Sequence, residues 1–302
     1  MAKAHSHRLR RSKGNDHGAH DATRPRSGGS AKPEHDTAIT EREVEDVEDR
    51  SSPRTPVIYE IVRRLGEEEM SRPAVSLWWS GVAAGLSISF SLLAQAILQT
   101  HLPDAPWRPL VTDLGYAVGF VMVVLSRQQL FTENTVTAVL PVMAEFTAGN
   151  LAKLARMWGI VLVANFAGTL FAALFCTYTP VLTPELYGTM LDISRHVVGP
   201  GWFEMVCKGV ASGFLIAAMV WLLPSAEAAQ FHVIVLMTFL IAAGGFVHIV
   251  AGSVEAFLLV LHGTLSWLSM VTAFVVPVLI GNIVGGTALF ALIAYAQVMK
   301  EI

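Results

Sequence analysis

The 302-residue chain has little charge and little cysteine. Only 15% of its residues are charged against 53% hydrophobic, a balance that excludes both an ordinary soluble domain and a disordered chain. Its two cysteines, Cys176 and Cys207, lie in apolar stretches. A disulfide framework and the C-x-x-C metal spacing are therefore excluded. No His-Glu-x-x-His pair, Asp-rich cluster or Ser-His-Asp set is present, so the residues suggest no metal, no cofactor and no enzyme. No apolar core or small-residue cleavage site follows the basic residues from Lys3 to Lys13, so a secretory signal is not expected. The net charge of −3 offers nothing to nucleic acid.

The charge that is present crowds toward the N-terminus. Residues 1–75 hold 14 of the 21 Lys and Arg and 14 of the 24 Asp and Glu. Residues 1–55 mix Ser, Gly, Pro and both signs with few large apolar residues, which predicts a disordered tail. Over 56–72, Val57, Ile58, Ile61, Val62 and Leu65 recur at helical spacing against Glu60, Arg63, Arg64, Glu67, Glu68 and Glu69. That pattern predicts an amphipathic helix at the membrane surface, ending near Pro73.

From 73 to 302 the chain is a series of charge-poor runs near 76–99, 110–143, 157–179, 205–223, 228–262 and 267–297. A bilayer core needs about 20 apolar residues to cross, so the reading is an all-α membrane protein of about six spans, solvated by lipid. The basic tail, Lys153, Arg156 and Lys300 fall on one side, and Arg108 and Arg195 on the other. This distribution predicts a multi-pass protein with both termini cytoplasmic.

The second and fifth runs are too long for simple helices, and both are interrupted. Ser126-Arg127-Gln128-Gln129-Leu-Phe131-Thr132-Glu133-Asn134 breaks one, and Gly244-Gly245-Phe246-Val-His248 through Gly252-Ser253-Val-Glu255 breaks the other. Polar backbone at membrane depth is tolerated only inside protein or along a cavity. Broken spans at matching places in two three-span halves point to an inverted repeat with the permeation site where they meet. The partial positive charge of half-helix N-termini favours an anion there.

Leu130-Phe131-Thr132-Glu133-Asn134, Gly245-Phe246-Val247-His248 and Gly281-Asn282-Ile-Val-Gly285-Gly286 together resemble the formate/nitrite transporter family. Leu154-Ala-Arg156-Met-Trp158 with Asn165-Phe-Ala-Gly168 is similar to that family's third span, and Ser80-Gly81 to Gly85 to its first. The resemblance covers about residues 72–300 and points to a divergent branch. It implies a homopentamer of aquaporin-like protomers in the bacterial inner membrane, each passing small monovalent anions or their weak acids. It also implies that His248 is the pore histidine, that Thr132 is the matching loop threonine, and that Tyr116, Phe120 and Ile241 form the constriction. Val247, Gly252 and Gly213 stand where the family carries an acidic residue and two asparagines, and Arg127 and Gln129 replace a small and an acidic residue.

His248, an ionisable group at an intramembrane break, is the leading candidate for a proton relay, with a packing histidine as the alternative. Thr132 either donates to an anion or to His248, or caps a half-helix beginning near Glu133. Arg127 and Lys208 either draw anions into a vestibule or snorkel to the interface. Glu133 and Glu255 read as carboxylates favouring helix starts. Asn165 and Asn282 are expected to bond between helices, and the Gly81/Gly85 and Gly281/Gly285 spacings to mark close packing. A channel for a small weak-acid anion is the leading function. Its competitors are an ammonia-type channel on the same fold and a receptor or structural protein.

Overall fold

The computed structural model describes residues 53–301. Residues 1–52 of the expected tail lie outside the described residues.

Every regular element among the described residues is helical. Five helical segments are long and apolar enough to cross a membrane: Ala74–His101, Arg108–Leu125, Ala148–Tyr178, Trp202–Ser225 and Trp267–Val298. The expected fifth run divides into Gln230–Ala243 and Ala251–Leu261 around its Gly-rich break. In chain order the helices are α1 (Thr55–Ser71), α2 (Ala74–Ile88), α3 (Phe90–His101), α4 (Arg108–Leu114), α5 (Ala117–Leu125), α6 (Val139–Ala144) and α7 (Ala148–Tyr178). There follow α8 (Pro184–Val198), α9 (Trp202–Leu222), α10 (Gln230–Ala243) and α11 (Ala251–Leu261). The last is α12 (Trp267–Val298), which contains π turns at Met270–Val275 and Val284–Ala291.

Two helix pairs, α2 with α7 and α9 with α12, make the most extensive contacts. Small residues explain the close approach. A Cβ on Gly85 would stand 2.2 Å from the Asn165 carbonyl, and one on Gly285 would stand 2.1 Å from the Val210 carbonyl. Gly81 and Gly281 press in the same way on Ala164 and on the Val206 carbonyl. Without a hydrophobic force between apolar helices in lipid, such contact and interhelical hydrogen bonds hold them together.

Helix α1 is present at its expected place but buries a different face. Val57, Ile61 and Leu65 are exposed, whereas Tyr59, Val62, Gly66 and Met70 are buried against α6, α7, α9 and the end of α12. Gly66 sets this face, because a Cβ there would lie 1.9 Å from the Thr137 carbonyl. Glu60, paired with Arg63 at 2.8 Å and Arg64 at 2.6 Å, lines another side of the helix. Helix α8 falls in a stretch read from sequence as a connection. Thr183 caps it by accepting from the Leu186 N–H at 3.2 Å, and Pro184, Glu185, Arg195 and His196 complete the start and stop signals. It buries Met190, Leu191 and Ser194 and packs on α3 and α11.

Candidate functional site

The two breaks are built alike. Helices α5 and α10 each end in a left-handed residue, Arg127 at φ 51° and Gly245 at φ 60°. The following N–H closes the turn in both: Gln128 N–H bonds the Val123 carbonyl at 3.0 Å, and Phe246 N–H bonds the Ile241 carbonyl at 2.9 Å. An αL residue closing a helix C-terminus in this way is a common solution for orphan carbonyls.

A buried asparagine from a neighbouring helix then secures each extended segment. Asn165 donates to the carbonyls of Gly81 and Gln129, both at 2.8 Å, and accepts from Phe131 N–H at 3.0 Å. Asn282 donates to Gly209 at 2.9 Å and Val247 at 3.1 Å, and accepts from Ile249 N–H at 2.8 Å. Each amide satisfies backbone that no helix serves, which buried polar groups require. Both asparagines thus bond between elements.

The segments meet at Thr132 and His248, both buried, with Thr132 Oγ1 2.6 Å from His248 Nε2. His248 Nδ1 accepts the N–H groups of Val250 at 3.2 Å and Ala251 at 3.1 Å. A neutral imidazole carries one N–H, so its proton sits on Nε2 and is donated to Thr132 Oγ1. The Thr132 hydroxyl proton is left for a further acceptor. Thr132 does not cap a half-helix, because residues 131–138 form successive turns and regular helix resumes only at Val139.

The exposed positive end expected at the second half-helix of the fifth run is also absent from the described geometry. The N–H groups of Ile249, Val250 and Ala251 are taken by Asn282 and His248. A solute at this point would therefore meet side chains, while the helix supplies only its field.

Tyr116, Phe120 and Ile241 are all buried. The Phe120 ring lies 5.1 Å from that of His248, edge to face, and 5.1 Å from that of Tyr116. Ser91 fixes Tyr116 by donating to its carbonyl at 2.5 Å and accepting from Gly119 N–H at 3.2 Å. A cavity of about 260 Å³ opens on His248 and Tyr116, and Gln95, Asp113, Lys208 and Glu255 also line it. Lys208 pairs with Glu204 at 2.9 Å. Arg127 is exposed and does not line this cavity, so the two cations singled out from sequence are not brought together. Gln129 turns toward α1, donating to Glu69 at 3.2 Å.

The polar positions missing from the sequence pattern have steric counterparts. A Cβ on Gly213 would stand 2.4 Å from the Asn282 carbonyl, and one on Gly252 would stand 2.6 Å from the Phe274 ring. Sequence reasoning missed Asp113, Gln95 and Thr287, the last of which donates to the Thr135 carbonyl at 2.7 Å. Each is a lone polar residue in a mainly apolar run, and that was the available signal.

Residues 56–296 match the family model described as formate/nitrite transporter. The inner membrane protein YfdC of Escherichia coli K12 is 46% identical over 260 residues, covering 86% of this chain and 84% of the relative. The formate channel FocA of Haemophilus influenzae is 27% identical over 241 residues, covering 71% and 84%. A solved pentameric formate channel with formate bound is similar at a TM-score of 0.63 and 20% identity, covering 75% of this chain and 98% of that one. A solved FNT family ion channel reaches 0.68 at 18% identity, covering 80% and 98%. These two likenesses show the fold.

Proposed function

The chain belongs to the formate/nitrite transporter family, and from that premise we propose that it is a homopentameric inner-membrane channel for small monovalent anions or their weak acids. Residues 73–302 form the channel domain, six spans in an inverted three-plus-three repeat with both termini cytoplasmic. The matched asparagines Asn165 and Asn282, each clasping a broken segment beside a left-handed turn, support the repeat. Formate channels among the relatives and a pentameric formate channel among the structural neighbours support the substrate class and the assembly.

The observation that carries the reading is the buried Thr132–His248 contact at 2.6 Å, where the two segments meet behind Phe120. In this mechanism an anion enters the cavity, attracted by Lys208, is protonated, and crosses the apolar neck of Tyr116, Phe120 and Ile241 as the neutral acid. His248 and Thr132 hold the solute by hydrogen bonds at the neck, and His248 passes its proton when the imidazole turns from its backbone partners. Arg127 draws anions at the other mouth.

A channel for ammonia is the second reading, favoured by Asp113 and Glu255 in the cavity wall. Uptake into proteoliposomes carrying an internal pH dye separates the two. Formate, nitrite, hydrosulfide or acetate entering with protons, and losing that entry in His248→Ala, supports the first. A protein-dependent response to ammonium alone supports the second.

A further inference from the structure

Glu255 is 3% exposed, forms none of the ion pairs of the described residues, and lines the cavity that leads to His248. It stands on α11, about one turn into the helix that begins at Ala251, directly after the segment that carries His248. Gly252, between the two in sequence, also lines the cavity, and a Cβ there would stand 3.6 Å from the Glu255 carboxyl. A buried carboxylate without a partner is costly, and its negative charge in a confined space would turn away the anion that the channel admits. Both difficulties disappear when the group holds a proton and can give it up to the incoming anion.

The groups facing Glu255 across the cavity are few. Helix α4 brings Asp113, α8 brings His196, α9 brings Lys208, and the neck brings Tyr116 and His248; α7 and the first π turn of α12, though packed against α11, contribute no residue to the lining. Lys208 is already bound to Glu204 at 2.9 Å. The imidazole of His248 has its Nδ1 occupied by two backbone N–H groups and its Nε2 proton held by Thr132. Two carboxyls line the cavity free of such contacts, Asp113 and Glu255, and of the two Glu255 is the buried one, beside His248 on the inner side, whereas Asp113 is half-buried.

We propose that Glu255 is the proton-exchanging residue of this cavity and protonates a small weak-acid anion before it reaches the Thr132–His248 neck. The O–H bond of the Glu255 carboxylic acid breaks, an O–H bond forms on the anion, and the resulting carboxylate regains a proton from a hydronium ion of the outside solution, delivered through water in the cavity, which leaves water behind. The neutral acid then meets no charge penalty in the neck. This assignment rests on the weak-acid reading above and places Glu255 ahead of His248 in the relay, as the group that gives the anion its proton on the cavity side while His248 acts at the neck.

The test is labelled formate uptake, with simultaneous proton entry, in proteoliposomes of the full-length protein at external pH 5 to 8. Unaltered protein is compared with Glu255→Gln and Glu255→Asp, each confirmed as the same oligomer by size-exclusion chromatography. Glu255→Gln should slow uptake by about tenfold at pH 7, with a smaller loss at pH 5 where bulk protons compensate, and Glu255→Asp should keep most of the rate. Equal or faster uptake by Glu255→Gln with an unchanged pH profile overturns the proposal while leaving the channel reading intact. If the unaltered protein passes no weak-acid anion, the channel reading fails and the proposal falls with it. Infrared difference spectra of unaltered protein give a measurement independent of variant folding: formate must bleach a protonated-carboxyl band, and its absence also overturns the proposal.

Discussion

Thr132 and His248 stand 116 positions apart in sequence and 2.6 Å apart in space. Because two backbone N–H groups occupy Nδ1 of the imidazole, the contact has one direction: the ring donates and the hydroxyl accepts. Thr132→Val keeps the shape but strands the Nε2 proton in a buried site, at a cost of about 1–3 kcal/mol. Flux should fall by about tenfold, since 1.4 kcal/mol corresponds to a factor of ten. Thr132→Ser should retain most of it, and uptake rates of the two variants side by side check the assignment. Equal loss in both would mean that the methyl group, rather than the hydroxyl, matters.

The paired asparagines give a prediction about stability rather than transport. Asn165→Ala leaves the carbonyls of Gly81 and Gln129 and the Phe131 N–H without their partner, and Asn282→Ala does the same to Gly209, Val247 and Ile249. Leaving a buried polar group unmet costs about 1–3 kcal/mol, so each variant should melt clearly lower in detergent. The two losses should be similar because the two clasps are alike. A variant that melts like the unaltered protein would show that water or a rearranged loop replaces the amide.

Arg127 adopts a backbone conformation that its counterpart Gly245 takes without strain. A left-handed conformation costs an L-residue about 1–2 kcal/mol, and the Arg127 side chain is exposed. Arg127→Gly should therefore raise stability, or leave it level where glycine's unfolded-state entropy offsets the gain. If Arg127 attracts anions at its mouth, the same variant should also slow uptake at low ionic strength and less at high salt, because exposed charges are screened there. Thermal melts and salt-dependent uptake read the two effects separately.

Much of this architecture was legible before the fold was known, and the reason is physical. Charge is costly in lipid, so the runs between Arg72, Asp104 and the later charges mark the membrane helices, and Gly or polar interruptions mark the breaks. Other features depend on tertiary contacts that periodicity does not contain. Helix α1 turns Tyr59, Val62 and Met70 inward because Gly66 meets the Thr137 carbonyl, so its Val57, Ile61 and Leu65 ridge, the obvious apolar face, remains outside. Glu255 read as a helix-start carboxylate because the cavity that exposes it is formed by α4, α8 and α9, far away in sequence.

Glu69 ties the docking of α1 to pH. Its partly buried carboxyl accepts from Thr137 Oγ1 at 2.9 Å and Gln129 Nε2 at 3.2 Å. Burial pushes its pKa above the ordinary carboxylate value, and the hydrogen bonds from Thr137 and Gln129 only partly oppose that rise. A carboxyl whose pKa is higher when docked than when free binds more protons in the docked state, so docking weakens as pH rises. The contribution is fully present below the ordinary Glu pKa and is lost as pH climbs through the raised value. Amide hydrogen exchange along α1, corrected for the intrinsic pH dependence, should therefore show stronger protection at pH 4 than at pH 8. Glu69→Gln mimics the protonated form and should hold the high protection at both values. Protection that rises with pH in the unaltered protein would reverse the sign and place the docking energy in the charged carboxylate and its neighbour Arg72 instead.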